Sequence, residues 1–169
     1  SAPTNLAESI YSQFDDSKRG PIRAMFIGSG KIHQSRYTKA GSHYRLYCAV
    51  LVRDVNATMC NYVLYSDDFG VNWKVLGGAD IAPIPSGADE PKAEELPDGS
   101  VVISSRCNGG RYYNVYSFTN AKKAEGSWGS VAFSGKSNNG VTAVNNSCNG
   151  EILILPVTRR ADQQPLYLA

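Results

Sequence analysis

The feature that most constrains this chain is a repeat. Asn61-Tyr62-Val63-Leu64-Tyr65-Ser66 returns as Tyr112-Tyr113-Asn114-Val115-Tyr116-Ser117, with the two serines 51 residues apart (117 − 66). A second pair of signals keeps the same step. Asp98-Gly99 precedes Val101-Val102-Ile103, and Asn149-Gly150 precedes Ile152-Leu153-Ile154, again 51 apart (150 − 99). Trp73 and Trp128 follow at 55 (128 − 73). A period of about 50 to 55 residues carrying about four short strands is the signature of a propeller blade. Ten Tyr, five Phe and 16 Gly, with little Ala- or Leu-rich helical patterning, point the same way, to an all-β fold.

The repeat sets out the domain organisation. Residues 1–23 read as an irregular lead-in, in which Leu6 to Phe14 makes a short helical or irregular turn and Ile22 to Gly28 begins a strand. A partial propeller then occupies 24–169. Its first blade is expected at 24–78, with strands near 31–35, 44–53, 60–66 and 72–76. The second is expected at 88–134, with strands near 91–96, 101–106, 112–118 and 128–133. The third begins near 140 and is incomplete at 169. About two and a half blades cannot close a ring, and an open blade edge exposes unpaired backbone. The expected partner is therefore the remainder of its own propeller, in a longer protein.

Charge and cysteines narrow the function classes. The chain is 42% hydrophobic and 19% charged, with net charge +2 and no polybasic tract, which gives no case for nucleic acid. No apolar run is long enough to span a bilayer, and Ser1-Ala2-Pro3-Thr4 lacks the shape of a signal peptide. Cys48, Cys60, Cys107 and Cys148 form no C-x-x-C pair, so a zinc site is not expected; one disulfide or four free thiols both remain open. Asn56-Ala57-Thr58 and Asn145-Asn146-Ser147 fit the N-glycosylation pattern, which arises often by chance. Gly28-Ser29-Gly30 lets the backbone turn or approach something closely; with no following helix it is not a phosphate loop.

Two local motifs stand out. In Ser66-x-Asp68-x-Gly70-x-x-Trp73 the short side chains of Ser66 and Asp68 can bond local N–H groups. Gly70 takes the unusual φ and Trp73 tucks beneath. Too few carboxylates alternate here for a calcium loop. The second motif, Asp89 to Arg106, reads as two strands joined by the turn Pro97-Asp98-Gly99. Glu90 opens the first strand and Arg106 closes the second, so a carboxylate and a guanidinium should meet at one rim of the sheet. The ordinary alternative is a hairpin-end ion pair.

Together these residues resemble bacterial exo-α-sialidases (neuraminidases), and Gly28-Ser29-Gly30-Lys31-Ile32 with the strand ending at Arg53 is especially similar to sialidases of Bacteroides-type gut bacteria. Ser66, Asp68, Gly70 and Trp73 match that family's Asp box, the BNR repeat. Asp89-Glu90-Pro91-Lys92, Glu94 to Ser100 and Ser105-Arg106 resemble the segment bearing its catalytic Glu and the second arginine of its triad. The resemblance implies a six-bladed β-propeller that removes terminal sialic acid from glycoconjugates, with Glu90 as the base paired to a catalytic Tyr. It implies that Arg106 holds the substrate carboxylate. Sialylated glycans would be the substrate, no metal or cofactor is required, and a secreted, periplasmic or cell-surface location is expected.

The family's first arginine motif, Arg-Ile-Pro, is absent, since Pro21-Ile22-Arg23 has the reverse order. That arginine and the Asp acid are expected before residue 1, the third arginine and the Tyr after Ala169, and this chain alone is expected to be inactive. Arg111 and Arg36 are further candidates for reaching the substrate, with a solvent-facing loop as the alternative for Arg111. Val50 and Val52 read equally as pocket lining or as core. Asp67, Asp98, His33 and His43 read as structural. A non-catalytic Asp-box propeller that binds glycan or protein, and a trans-sialidase, are the competing functions.

Overall fold

The computed structural model describes residues 3–28, 30–135 and 149–168. The chain enters through a helical turn, Ala7–Tyr11 (α1), that continues as a 3-10 turn over Ser12–Phe14. Five residues are too few for a helix to hold itself in water. Gln13 fastens this one: its side-chain amide donates to the Trp73 carbonyl (2.8 Å) and accepts from the Val75 N–H (3.0 Å). Phe14 is fully buried and meets Tyr62 edge-on at 5.1 Å, so the lead-in contributes to the core.

Two antiparallel sheets follow. The first is built on Ile22–Ile27 (β1), His33–Ala40 (β2), His43–Asp54 (β3), Met59–Ser66 (β4) and Lys74–Val75 (β5). β3 is its longest strand, and β4 pairs along one edge of it. Its other edge takes β1 and β2 end to end, with Ile27 opposite Val50 and His33 opposite Tyr47. They are in effect one inner strand, interrupted between Gly28, whose N–H still donates to the Ala49 carbonyl (2.9 Å), and His33, where pairing resumes opposite Tyr47. The expected 31–35 strand thus starts later and runs on to Ala40, because Gly41, with φ +60°, carries the reversal.

The second sheet comprises Ala88–Glu95 (β6), Val101–Cys107 (β7), Gly110–Asn120 (β8), Glu125–Trp128 (β9) and Ala132–Gly135 (β10). β6, β7 and β8 pair in order, and β9 and β10 share the free edge of β8. The single strand expected near 128–133 is therefore two. Leu155–Thr158 (β11) and Pro165–Leu168 (β12) form a separate hairpin. Ile152–Ile154, expected as a strand, is not one. The Ile154 carbonyl instead accepts a hydrogen bond from Arg36 (2.9 Å). The start expected for a third blade, the Asn145 sequon and Cys148 lie outside the described residues.

The sheets stack on each other, and the sequence of β3 shows why. Strand residues alternate faces, and here both faces are apolar. Tyr47 and Ala49 join Val63, Ala93, Val101, Ile103 and Tyr116 in a core between the sheets. Cys48, Val50 and Val52 join Phe14, Cys60, Tyr62 and Leu64 in a second core beneath the lead-in. Each fully buried aliphatic side chain contributes about 1.5–3 kcal/mol, so a strand buried on both faces organises the molecule. Trp128 reaches across from the second sheet, its indole N–H donating to the Leu76 carbonyl (3.0 Å).

Cys48, Cys60 and Cys107 are buried, and burial pushes the Cys48 and Cys60 thiols up to about 11. Among the described residues no cluster of His, Cys, Asp or Glu is set to hold a metal, and no helix is long and apolar enough to cross a membrane.

Candidate active site

Glu90 and Arg106 meet as the hairpin predicts, with Arg106 Nη1 3.3 Å from Glu90 Oε2. The way they meet was not legible. The register slips between Asp89 and Pro91: Asp89 stands opposite Arg106, Pro91 opposite Ser105, and Glu90 is the extra residue of a β-bulge. Its backbone lies in the left-handed region, at φ +42°. The Asp89 carboxylate accepts the N–H of Glu90 (2.7 Å) and lies 3.9 Å from Arg106.

Magnitudes show what aims Glu90. A left-handed backbone costs a non-glycine residue about 1–2 kcal/mol. The side chains of Glu90 and Arg106 are 35% and 29% exposed, and a pair so open to water contributes at most about 1 kcal/mol. The ion pair therefore does not offset the strain. The bulge and its packing impose it, a pattern that marks functional positions.

Glu90 itself lines a cleft of about 280 Å3, with Phe26, Ile27, Gly28, Leu51, Asp89 and Pro91. Phe26 and Ile27 are exposed, so a charged rim borders an apolar wall. Val50 and Val52 are not that wall. They are buried in the second core, and Leu51, one residue out of phase with them, turns to the cleft instead. Three larger hollows carry neither Glu90 nor Arg106: two, of about 570 and 530 Å3, are lined in part by the Ser66–Trp73 turn, and one of about 300 Å3 by Tyr37, Asp98 and Ser117.

The remaining candidates separate. Arg111 stands opposite Arg106 on the neighbouring strand, but its Nε donates to the Ser104 hydroxyl (2.8 Å). Arg36 is engaged elsewhere: Nη2 contacts Glu94 Oε1 at 2.6 Å and the Glu95 carbonyl at 3.1 Å, while Nη1 reaches Ile154. The structure places it in a polar seam between β2 and β6 rather than at the rim.

That seam was missed from sequence. Glu94 also takes Lys31 Nζ at 2.6 Å and His33 Nδ1 at 3.1 Å. Glu95 accepts the Ser35 hydroxyl (2.5 Å) and the Arg36 N–H (2.6 Å). Both carboxylates are fully buried. The available signal was two adjacent glutamates inside a strand, because such residues are almost never fully buried unless paired.

The Ser66–Trp73 turn holds itself together. The Ser66 hydroxyl accepts the Gly70 N–H (2.8 Å) and donates to Asp68 (2.8 Å). Asp68 accepts the backbone and side-chain N–H groups of Asn72 (2.8 and 2.6 Å), and Trp73 donates to the Gly70 carbonyl (3.1 Å). Gly70 has φ +89°. With Asn72's N–H as the largest cause, the Asp68 carboxyl is lowered to about 2. These residues build a turn and stand apart from the charged pair.

The class that these sheets define is an all-β propeller fragment. No family model and no curated protein matches the chain. Among solved structures it is similar to Trypanosoma rangeli sialidase in complex with the inhibitor DANA, at TM-score 0.59 and 18% identity, over 99% of this chain and 24% of that one. A second structure of Trypanosoma rangeli sialidase gives TM-score 0.58 at the same identity and coverage. The fold is therefore sialidase-like, and the chain spans about a quarter of the length of the structures it matches.

Proposed function

We propose that this chain is the part of a sialidase carrying the catalytic base and one carboxylate-binding arginine, in a protein that releases terminal sialic acid from glycoconjugates. The observation that carries the reading is Glu90: a carboxylate held in a strained backbone beside Arg106, at the mouth of a cleft, on a sialidase-like fold. The 16-residue spacing of the two (106 − 90) and the turn at Ser66 to Trp73 support it. So does the bound inhibitor in the similar trypanosomal structure.

The chemistry asks for these residue types. A sialoside bears a carboxylate on its anomeric carbon, so a carboxylate nucleophile approaching that carbon meets like charge. A tyrosine phenol is neutral until a neighbouring carboxylate takes its proton during attack, and Glu90 is suited to that role. As the tyrosine oxygen bonds to the anomeric carbon the glycosidic bond breaks and the aglycone leaves with a proton from the Asp acid; water then displaces the tyrosine, which regains a proton, with net retention. Arg106 offers a planar guanidinium that matches the substrate carboxylate with two parallel hydrogen bonds, which Lys cannot copy. Arg111, opposite it on the neighbouring strand, is held by the Ser104 hydroxyl. The tyrosine, the acid and the other arginines belong to the rest of the propeller.

The test is sialic acid release from a fluorogenic sialoside by the full-length parent chain and its Glu90→Ala and Arg106→Ala variants. Glu90→Ala is expected to lower kcat by about 10²–10⁴-fold, the usual cost of losing a general base. Arg106→Ala is expected chiefly to raise KM. A parent that releases nothing, or a Glu90→Ala variant that matches it, would favour a non-catalytic propeller that binds glycan or protein. Transfer of the sialyl group to added lactose faster than to water would make it a trans-sialidase.

A further inference from the structure

We propose that Gly28 is a positioning residue for Glu90, an inference that rests on the sialidase reading above. Gly28 sits where the inner strand breaks, directly after β1, and its N–H still donates to the Ala49 carbonyl (2.9 Å). On its other side it lies against β6. A Cβ built on Gly28 would stand 2.2 Å from the Pro91 carbonyl oxygen, 3.2 Å from the Ala49 oxygen and 3.3 Å from the Pro91 carbonyl carbon. Real Cβ atoms essentially never come within 3.0 Å, so any side chain here must separate the two backbones by at least 0.8 Å (3.0 − 2.2).

The displacement has one direction to go. Ala49 belongs to β3, anchored on both faces by core, whereas Pro91 directly follows the bulge. The Pro91 ring fixes its own φ and restricts the residue before it. A push on the Pro91 carbonyl is therefore relayed to Glu90, already held in a strained conformation. Gly30, two residues on, makes the contrast. A Cβ there would meet Lys92 Cδ at 2.8 Å and Glu151 Oε2 at 3.0 Å, the parts of flexible side chains that can move aside. The absence of a side chain at Gly28 thus sets how deep β6 seats against β1, and with it the reach of the base.

The experiment compares Gly28→Ala, Gly30→Ala, Glu90→Ala and the Gly28→Ala/Glu90→Ala double variant in the full-length parent chain. A displacement of about 1 Å costs on the order of 10²-fold. Gly28→Ala is expected to lower kcat by about that factor with little change in KM, and Gly30→Ala to stay within a few-fold of wild type. In the Glu90→Ala background Gly28→Ala should cost almost nothing further, because the group it displaces is gone.

Gly28→Ala at wild-type kcat, or losses that multiply in the double variant, would overturn the positioning role while leaving the sialidase reading intact. A parent with no sialidase activity, or an unimpaired Glu90→Ala variant, would remove that reading and the inference with it. Should Gly28→Ala fail to fold, Pro91→Ala replaces it: it keeps the carbonyl against Gly28 but removes the ring that relays its position to Glu90. It is expected to lower kcat in the wild-type background alone, and wild-type kcat would overturn the proposal.

Discussion

At the scale of single residues, Asp68 shows what a self-contained turn gains. Its carboxylate serves the Ser66 hydroxyl and both N–H groups of Asn72. Asp68→Asn keeps the shape and loses the charge, so it should destabilise the protein, and the pH dependence follows from the sign of the shift. The folded carboxyl titrates near 2, below its ordinary 3.8, so its stabilisation is complete above the ordinary value. It is lost as the pH falls from about 4 through about 2. Denaturant unfolding of wild type and Asp68→Asn should therefore show a constant gap above about pH 5 that narrows below about pH 4. A gap independent of pH would mean that the charge contributes nothing. This turn was legible residue by residue, since every partner lies within four positions in sequence. The bulge at Glu90 was not, because a register slip depends on how β6 meets two other strands. Gly28 was read as a place of close approach, but what it approaches is 63 residues away (91 − 28).

At the scale of elements, the contacts that join the sheets fall on side chains that carry no motif. Arg45, at the start of β3, is fully buried and forms a two-point pair with Asp67 at 2.6 and 2.9 Å. It also donates to the carbonyls of Ala121 and Lys122, in the 3-10 turn that links β8 to β9, at 2.7 and 3.2 Å, and lies over the Tyr65 ring at 4.9 Å. Arg45→Ala removes a fully buried side chain together with its bonds to half-open acceptors, so it should cost about 1–3 kcal/mol in denaturant unfolding. Arg45→Lys should recover little of it, because Lys supplies a point charge where the site uses a fork. A loss below about 1 kcal/mol would mean that the apolar core alone joins the sheets. Strand type and approximate position were readable from the repeat and the β-branched runs. The boundaries that moved did so for tertiary reasons: β6 begins before Glu90 because Asp89 pairs with Arg106, and the last strand of the second sheet divides to follow β8.

At the scale of the whole molecule, charge occupies two different environments. Glu94 and Glu95 lie fully buried in the seam between β2 and β6, matched by Lys31, His33 and Arg36. Glu90, Asp89 and Arg106 stand at the open rim. Dissolved ions reach the whole of the second group; in the first they meet the half-exposed ends of Lys31 and Arg36 but not the two carboxylates. The distance over which a charge is felt in solution falls from about 10 Å at 0.1 M salt to about 3 Å at 1 M, while groups shut away from solvent are far less affected. Sodium chloride should therefore act on the parent protein as a selective reagent: KM for a sialoside rises steeply between about 0.1 and 1 M, and the melting temperature hardly moves. A melting temperature that falls along with affinity would mean that water enters the seam. Capture of an anionic sugar would then be tuned by the saltiness of the surroundings, and the integrity of the scaffold would not.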